Sequence, residues 1–231
     1  MRQILAVVPF AFLLTSCLSN KREEANTGVD PNMIFHDYKI TAEEGLEDVT
    51  VMVQCRLGGK DGTPVLLEEP SKLSLDGAML YPDSAKLAGA FYEKSLPVTS
   101  FAGEHTLVFT DSRKKQHTTK FQFEPFDLAQ EIPDRVSKKP LLLKLSNFPA
   151  KPTNVRLVMF DTSFVTPDIN EELLVEHGEI RIDETRLANL ANGPITLEIY
   201  REEEKTLKGI SREGGRVLIT YSLRRQFEFT D

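Results

Sequence analysis

The sequence has no tryptophan, only two cysteines, and no stretch after its first residues that is apolar enough to cross a membrane. Tryptophan is the side chain on which bound sugars stack best, so its absence argues against a carbohydrate-binding surface. Positive charge is also scarce, because the formal net charge is −7 and no part of the chain forms a basic stripe. Nucleic-acid binding relies on such a stripe, and we therefore expect no nucleic-acid partner.

An apolar run lies at the start of the chain, where Arg2 precedes the uncharged residues Ile4 to Leu14. The run is too short for a membrane-spanning helix, which needs roughly 20 apolar residues, and its layout is typical of a secretory signal. The segment 14–17, Leu-Thr-Ser-Cys, resembles the lipobox of bacterial lipoproteins. This resemblance implies that residues 1–16 are removed as a signal peptide and that Cys17 becomes the lipid attachment site, carrying acyl chains such as palmitate. An ordinary cleaved signal with a cysteine near the cut is the alternative.

Residues 17–33 are predicted to form a flexible tether, because a polar stretch with few large apolar side chains cannot bury enough surface to order itself. The charged patch Lys21–Glu24 resembles the signals that direct some Bacteroidota lipoproteins to the outer face of the outer membrane. Each methylene of a bound acyl chain contributes about 0.8 kcal/mol, so two or three chains hold a protein at the membrane almost permanently. We therefore expect a cell-envelope lipoprotein on the outer membrane, either exposed at the cell surface or facing the periplasm.

Strand signals dominate residues 34–126. From Val49 to Leu57 every second residue is apolar, which is typical of a half-buried antiparallel strand. Asp76-Gly77 follows an apolar strand and predicts a two-residue hairpin turn, because both positions of a type I′ turn need positive φ. About seven such short strands are recognisable in this half, the number expected of an immunoglobulin-like sandwich.

The strand pattern breaks over 125–140, which contains three prolines among charged residues, and then resumes in residues 127–231. In this second half we expect a hairpin through His177-Gly178 and a short helix over 184–191. Arg225 interrupts the apolar face of the last strand, which predicts a bulge or an exposed strand end there.

The two halves also resemble each other in sequence. Gly103–Phe109 is similar to Gly193–Ile199, and Phe121–Phe123 is similar to Phe227–Phe229. Together these patterns predict an all-β protein of two tandem immunoglobulin-like antiparallel β-sandwiches, the second of which is expected to close the chain. With its lipobox, this layout resembles uncharacterised two-domain immunoglobulin-like lipoproteins of Bacteroidota, a resemblance that implies no particular activity.

Catalytic chemistry has little support in the sequence. A nucleophilic triad needs serine or cysteine beside histidine and an orienting carboxylate, and the histidines lie in no recognisable motif. Cys55 alternates with apolar residues and is predicted to be a small core side chain. The four histidines are expected to lie on the inward face of a strand (His105), at turns (His117 and His177) or in no assigned environment (His36). We therefore predict no catalytic residue and no cofactor.

The sequence also gives little support for a metal site, because no Cys/His spacing suits zinc. Asp168–Glu172 places oxygen atoms at every second residue in a predicted long loop, which could suit calcium. The segment lacks the glycine and the distant glutamate of a complete calcium loop, so a solvated acidic loop is the default and no metal site is assigned.

These exclusions favour a non-enzymatic interaction or scaffold module that binds another envelope or extracellular protein or acts as a spacer, since sandwich domains expose loops and edge strands. The membrane is expected to be contacted through the N-terminal lipid, and no small-molecule ligand is expected. Surface glycan binding is the alternative, with Tyr81, Tyr92 and Tyr200 as its candidate residues.

Overall fold

The computed structural model describes residues 30–85 and 89–230, and this part of the chain is almost entirely β-strand. The first half contains β1 (Ile34–Glu43), β2 (Asp48–Leu57), β3 (Thr63–Val65), β4 (Lys72–Leu75), β5 (Ala78–Met79), β6 (Tyr81–Ala85), β7 (Gly89–Pro97), β8 (Gly103–Thr110) and β9 (Gln116–Phe123). The second half contains β10 (Asp127–Leu128), β11 (Arg135–Ser137), β12 (Leu141–Ser146), β13 (Thr153–Asp161), β14 (Ile169–Val175), β15 (Glu179–Ile182), the helix α1 (Glu184–Leu187), β16 (Gly193–Leu207) and β17 (Gly215–Thr230). Two 3-10 turns cover Pro31–Met33 and Val98–Ser100.

The first half has an immunoglobulin-like strand order. One of its sheets runs β1-β2-β7-β6, with β3 added to β2, and the other runs β5-β4-β8-β9. These orders correspond to the ABED and CFG sheets of the immunoglobulin fold, with β5 as an added strand beside C. The core lies between the two sheets, where the ring of His36 on β1 is 4.4 Å from that of Phe109 on β8.

Local sequence patterns explain why these elements form. The alternating face of β2 is buried, because Val49, Val51, Val53 and Cys55 are each 0 % exposed, which confirms the predicted strand. The predicted hairpin turn after Leu75 is also confirmed, since Asp76-Gly77 adopts φ values of 49° and 81° and connects β4 to β5.

The second half also divides its strands between two sheets. β10-β12-β15 form a three-stranded sheet, and β14-β13-β16-β17 lie side by side in a larger sheet. β11 continues this larger sheet by pairing in parallel with the last residues of β17, from Arg135 opposite Glu228 to Ser137 opposite Thr230.

One sheet crosses both halves, because β1 pairs in parallel with β17 from His36 opposite Gly215 to Glu43 opposite Ser222. The result is a ten-stranded sheet that includes strands of both halves. The expectation of a purely antiparallel arrangement is wrong here, since an alternating pattern shows which face is buried and carries no information on the neighbouring strand. The predicted boundary between 34–126 and 127–231 lies between β9 and β10, and the division into two domains there stays a prediction.

The long β16–β17 hairpin makes this connection. β13 pairs with β16 only as far as Tyr200, so residues 201–207 of β16 continue beyond the second half while still paired with β17. We call residues 201–222, which lie against the first half, the hairpin arm. Lys205 shows the contact, because its Nζ donates a hydrogen bond to the Lys120 carbonyl oxygen of β9 at 3.3 Å.

Two predicted local features of the second half differ from the structure. His177-Gly178 does form a turn with positive φ, but β14 pairs with β13 and β15 pairs with β12, so only an isolated bridge between Glu176 and Glu179 remains of the predicted hairpin. The predicted helix over 184–191 is shorter than expected and covers Glu184–Leu187.

The prediction of a bulge or an exposed strand end at Arg225 is wrong, because β17 continues past it to Thr230. The register of β16 and β17 is continuous, with Arg225 opposite Leu197 and Phe227 opposite Ile195. The charge on the apolar face is tolerated because the guanidinium group binds two carboxylates that come from elsewhere in the chain, Glu44 and Glu131.

Candidate interaction surface

In the described part of the chain, His36 and Cys55 lie close together, but both side chains are buried and unreactive. Cys55 Sγ lies 4.0 Å from His36 Nδ1, and both residues are 0 % exposed. Burial raises the pKa of the Cys55 thiol to about 12. Burial, followed by the charge of His117, lowers the pKa of His36 to about 3. A nucleophilic pair needs a thiolate, so these side chains serve packing, which confirms the prediction of Cys55 as a core residue.

Two further histidines, His105 and His117, are engaged in local structure. His105 is buried on β8, with Nδ1 2.8 Å from Asp76 Oδ2 and Nε2 2.6 Å from the Phe101 carbonyl oxygen, as predicted for an inward residue. His117 lies within β9 rather than at a turn, and its Nε2 is 3.3 Å from Oδ2 of the buried Asp111. These pairs connect the turns before and after β8 to its sheet.

The acidic segment 168–172 lies mostly in β14, which corrects its prediction as a long loop. Two of its side-chain oxygen atoms are engaged by the neighbouring strand β13, since Asn170 Oδ1 accepts from Arg156 Nε at 2.8 Å and Glu172 Oε1 accepts from Asn154 Nδ2 at 2.8 Å. In residues 30–85 and 89–230 there is no group of three or more His, Cys, Asp or Glu side chains able to hold a metal ion.

The three tyrosines named for glycan binding occupy separate environments. Tyr81 on β6 is 73 % exposed, whereas Tyr92 on β7 is buried and its hydroxyl accepts a hydrogen bond from the Leu67 amide at 2.7 Å. Tyr200 on β16 is half-buried and donates to Glu198 at 2.5 Å. They do not form the line of exposed rings across one sheet face that glycan stacking would use.

Tyr200 nevertheless borders a polar groove of about 360 Å³ on the outer face of the second half. The groove is lined by amide, guanidinium and carboxylate groups from three strands: Asn154, Val155, Arg156, Asn170, Glu172, Tyr200 and Glu202. Several of these groups already bind one another across the strands, as the Arg156–Asn170 hydrogen bond shows.

A different surface exposes apolar side chains. We call residues 162–168, between β13 and β14, the distal loop. Phe164 and Val165 at its tip are 73 % and 74 % exposed. The Phe164 ring stacks on Phe160 of β13, with ring centroids 5.6 Å apart and an interplanar angle of 10°. The exposed pair Phe164 and Val165 was not predicted from the sequence. Two large apolar residues within a polar, turn-like stretch were nevertheless a signal for it.

The conformation of the distal loop is set by Asp161, which is only 2 % exposed. Its carboxylate accepts hydrogen bonds from the Thr166 hydroxyl at 2.6 Å and from the amides of Ser163, Val165 and Thr166 at 3.1, 3.0 and 2.9 Å. The Thr166 hydroxyl and these amides lower the pKa of Asp161 to about 2. The loop is therefore organised around a carboxylate, and its apolar tip is presented in a defined position.

The distal loop lies far from the start of β1. Asp161 is level with Ile195 and hence with Phe227 of β17, whereas His36 is level with Gly215 at the other end of the same strand. The path along β17 between these levels is about 40 Å at the usual rise of a strand. The exposed apolar tip and the point where the chain begins its first strand are therefore at opposite ends of the shared sheet.

Cys17, the predicted lipid attachment site, and the predicted signal peptide over 1–16 lie outside the described residues. The tether over 17–33 does so for most of its length. Within the part of the chain that the structure covers, no helix has the length and apolar character required to cross a membrane.

No protein-family model and no curated protein matches this chain. Among solved structures, DIP-gamma IG1+IG2 is 10 % identical at a TM-score of 0.24 and covers 82 % of this chain and 96 % of its own. The Yersinia pseudotuberculosis adhesin InvE is 8 % identical at a TM-score of 0.25, over 85 % of this chain and 61 % of its own. SGBP-B of a Bacteroides ovatus mixed-linkage glucan utilization locus is 10 % identical at a TM-score of 0.22, over 83 % of this chain and 60 % of its own. Similarities at these TM-scores indicate neither a function nor a partner.

Proposed function

We propose that this protein is a lipoprotein anchored to the outer membrane through Cys17, in which two tandem immunoglobulin-like sandwiches act as a non-enzymatic interaction module. Its partner is another envelope or extracellular protein, bound through the distal loop. The observation that carries this proposal is the exposed pair Phe164 and Val165, held at the end of the sheet opposite the start of β1.

The chemistry of the distal loop supports protein binding. Single exposed apolar side chains are normal on protein surfaces, but here two are adjacent: the Phe164 ring stacks on Phe160, and the Asp161 carboxylate binds the Val165 amide. Rigid aromatic anchors of this kind carry much of the binding energy in protein interfaces. A tether that joins at the other end leaves this tip directed away from the membrane.

The proposal is tested by photo-crosslinking in cells. A photoreactive amino acid replaces Phe164 in one variant and Leu142 of β12, which is 52 % exposed, in a control variant. We expect an adduct of defined mass at position 164 that is absent at position 142 and is lost when Val165→Ser is added. No adduct at position 164, or equal adducts at both positions, contradicts the proposal.

Anchoring is tested separately. We expect the unchanged chain to incorporate labelled palmitate and the Cys17→Ser variant to incorporate none. Protease treatment of whole cells distinguishes the two orientations, because cleavage indicates surface exposure and resistance indicates a periplasm-facing anchor.

Glycan binding is a second candidate, favoured by the polar groove beside Tyr200. Calorimetric titration with soluble oligosaccharides tests it. Binding that is lost in Tyr200→Ala and retained in Tyr81→Ala supports a glycan site in this groove, and absence of binding excludes it for the sugars tested.

A further inference from the structure

Among the described strands, the first half has an unpaired strand edge at a position where the second half has a paired one. In the second half, β11 lies in parallel beside the end of β17, and the Glu228 amide donates to the Asp134 carbonyl oxygen at 2.7 Å. In the first half, β9 is the last strand of its four-stranded sheet, and no described strand pairs with its outer side.

β9 and β17 occupy equivalent positions. Each follows its hairpin partner at the same place in the strand orders β5-β4-β8-β9 and β14-β13-β16-β17. The segments Phe121–Phe123 and Phe227–Phe229 match in sequence, and both phenylalanines of each segment are buried. Gln122 therefore corresponds to Glu228, the residue whose amide binds the Asp134 carbonyl oxygen just before β11.

The backbone of β9 directs hydrogen-bonding groups outward at this edge. The Lys120 carbonyl oxygen accepts a hydrogen bond from Lys205 Nζ of the hairpin arm, so it faces away from β8. Because the amide and carbonyl groups of a strand alternate sides with a period of two residues, Thr118 and Gln122 face the same way. Their backbone groups have no hydrogen-bond partner within residues 30–85 and 89–230.

A groove runs between this edge and the hairpin arm. It consists of two adjoining depressions of about 310 and 290 Å³, which share Lys120 and Lys205. Val217 and Ile219 of β17 line the first depression. Lys120, Lys205 and Lys208 make the second depression basic, while Glu104 and Glu203 border the first.

We propose that the β9 edge accepts an extended segment of a partner protein, which pairs in parallel with β9 as β11 pairs with β17. The inward residue of β11, Val136, lies opposite Phe229 and packs against the core, so the equivalent residue of the partner is apolar and lies opposite Phe123. The basic end of the groove lies beside the start of β9, so the segment carries acidic residues at its N-terminal end. Strand addition to a free edge is an established mode of peptide recognition, and this surface is separate from the distal loop.

The test uses the full chain and the synthetic peptide Asp-Asp-Thr-Val-Ser-Val, with Lys-Lys-Thr-Val-Ser-Val as the charge-reversed control. Amide hydrogen exchange is followed by NMR. We expect saturating acidic peptide to slow exchange of the Gln122 amide at least ten-fold and to leave that of Phe121, which faces β8, unchanged. The basic peptide should have no effect. Absence of protection by the acidic peptide overturns the proposal.

Gln122→Pro and Gln122→Ala form a matched pair of variants. Proline removes the outward amide without removing a bond to β8 and is tolerated on an edge strand, whereas alanine retains the amide. We expect peptide binding to be lost in the first variant and retained in the second, and binding that survives in both overturns the proposal.

Two other occupants give distinct results, and either overturns the proposal. If the chain's own tether fills the groove, the Gln122 amide is protected without peptide and becomes exposed when residues 18–29 are deleted. If a second copy fills it, protection without peptide rises with protein concentration. Crosslinking at Phe164 reports on the distal loop independently, so failure here leaves the proposed function unaffected.

Discussion

Arg225 connects the two halves of the protein, and its replacement by methionine tests how much this connection stabilises the fold. Nη1 and Nη2 donate to Glu44, in the turn between β1 and β2, at 2.5 and 2.8 Å. Nε and Nη2 donate to Glu131, between β10 and β11, at 2.7 and 3.0 Å. These carboxylates, Glu44 foremost, raise the pKa of Arg225 above its usual range, and Arg225 in turn lowers the pKa of Glu131.

The exposure of each partner determines the expected magnitude. The side chains of Arg225 and Glu44 are 19 % and 20 % exposed, whereas Glu131 is 69 % exposed. A hydrogen bond to a charged group contributes about 1.5–3 kcal/mol, and an exposed ion pair contributes about 0–1 kcal/mol. We therefore expect the free energy of unfolding to fall by about 2–3 kcal/mol in Arg225→Met, about 1–2 kcal/mol in Glu44→Gln and about 0.5 kcal/mol in Glu131→Gln.

Urea unfolding at pH 7 measures these differences, with Arg181→Met as the control. Arg181 pairs with Asp183, and both side chains are largely exposed at 70 % and 60 %, so its loss should cost less than about 0.5 kcal/mol. The Glu131 contribution is present above pH 4.5, the usual pKa of a glutamate, and is lost as the pH falls through its lower folded pKa. A loss in Glu131→Gln or Arg181→Met as large as that in Arg225→Met would refute this reasoning.

Three further predictions concern buried titratable groups. Because burial raises its pKa to about 12, Cys55 should react with a thiol reagent no faster than the chain unfolds, and faster labelling measured by absorbance would contradict this. His36 has a pKa of about 3 in the fold against 6.5 for a free histidine, so stability should fall by up to about 1.4 kcal/mol per pH unit between pH 6 and pH 4. Urea midpoints should show that His36→Leu flattens this dependence, and an unchanged slope would exclude His36 as its cause. At pH values above 3.8, the usual pKa of an aspartate, the Asp161 carboxylate stabilises the distal loop, and this effect is lost as the pH falls towards about 2. Asp161→Asn should therefore speed hydrogen exchange at the Val165 and Thr166 amides. Unchanged exchange would mean that other contacts hold the loop.

The local features of the fold follow from the sequence because their causes are local. The alternation from Val49 to Cys55 predicts a strand with one buried face, and the structure buries that face completely. The turn at Asp76-Gly77 follows from the positive φ that such a turn requires. Both arguments need only a few adjacent residues.

The features that were missed depend on residues far apart in the chain. An arginine on an apolar face indicates a break in the strand unless its partners are known, and the partners of Arg225 precede it by 181 and 94 residues. Likewise, an apolar residue at every second position shows which face of a strand is buried but not which strand lies beside it. The pairing of β1 with β17 therefore does not follow from the local sequence pattern. The charges of the acidic segment 168–172 favour a loop over a strand, although Ile169 and, at the end of β14, Val175 are buried in the core.

The shared strand β17 explains how the distal loop is held at a fixed distance from the start of β1. Its first residues pair with β1, its last residues pair with β11, and the hydrogen-bonded register with β16 is unbroken between them. Between these ends, the Tyr221 ring lies 5.9 Å from Phe123 and 5.1 Å from Phe126 of the preceding half. A flexible link between the halves would let the distal loop move relative to β1, whereas a continuous strand keeps its two ends at a fixed separation. The sheet therefore supplies the rigid spacing that the proposed function requires.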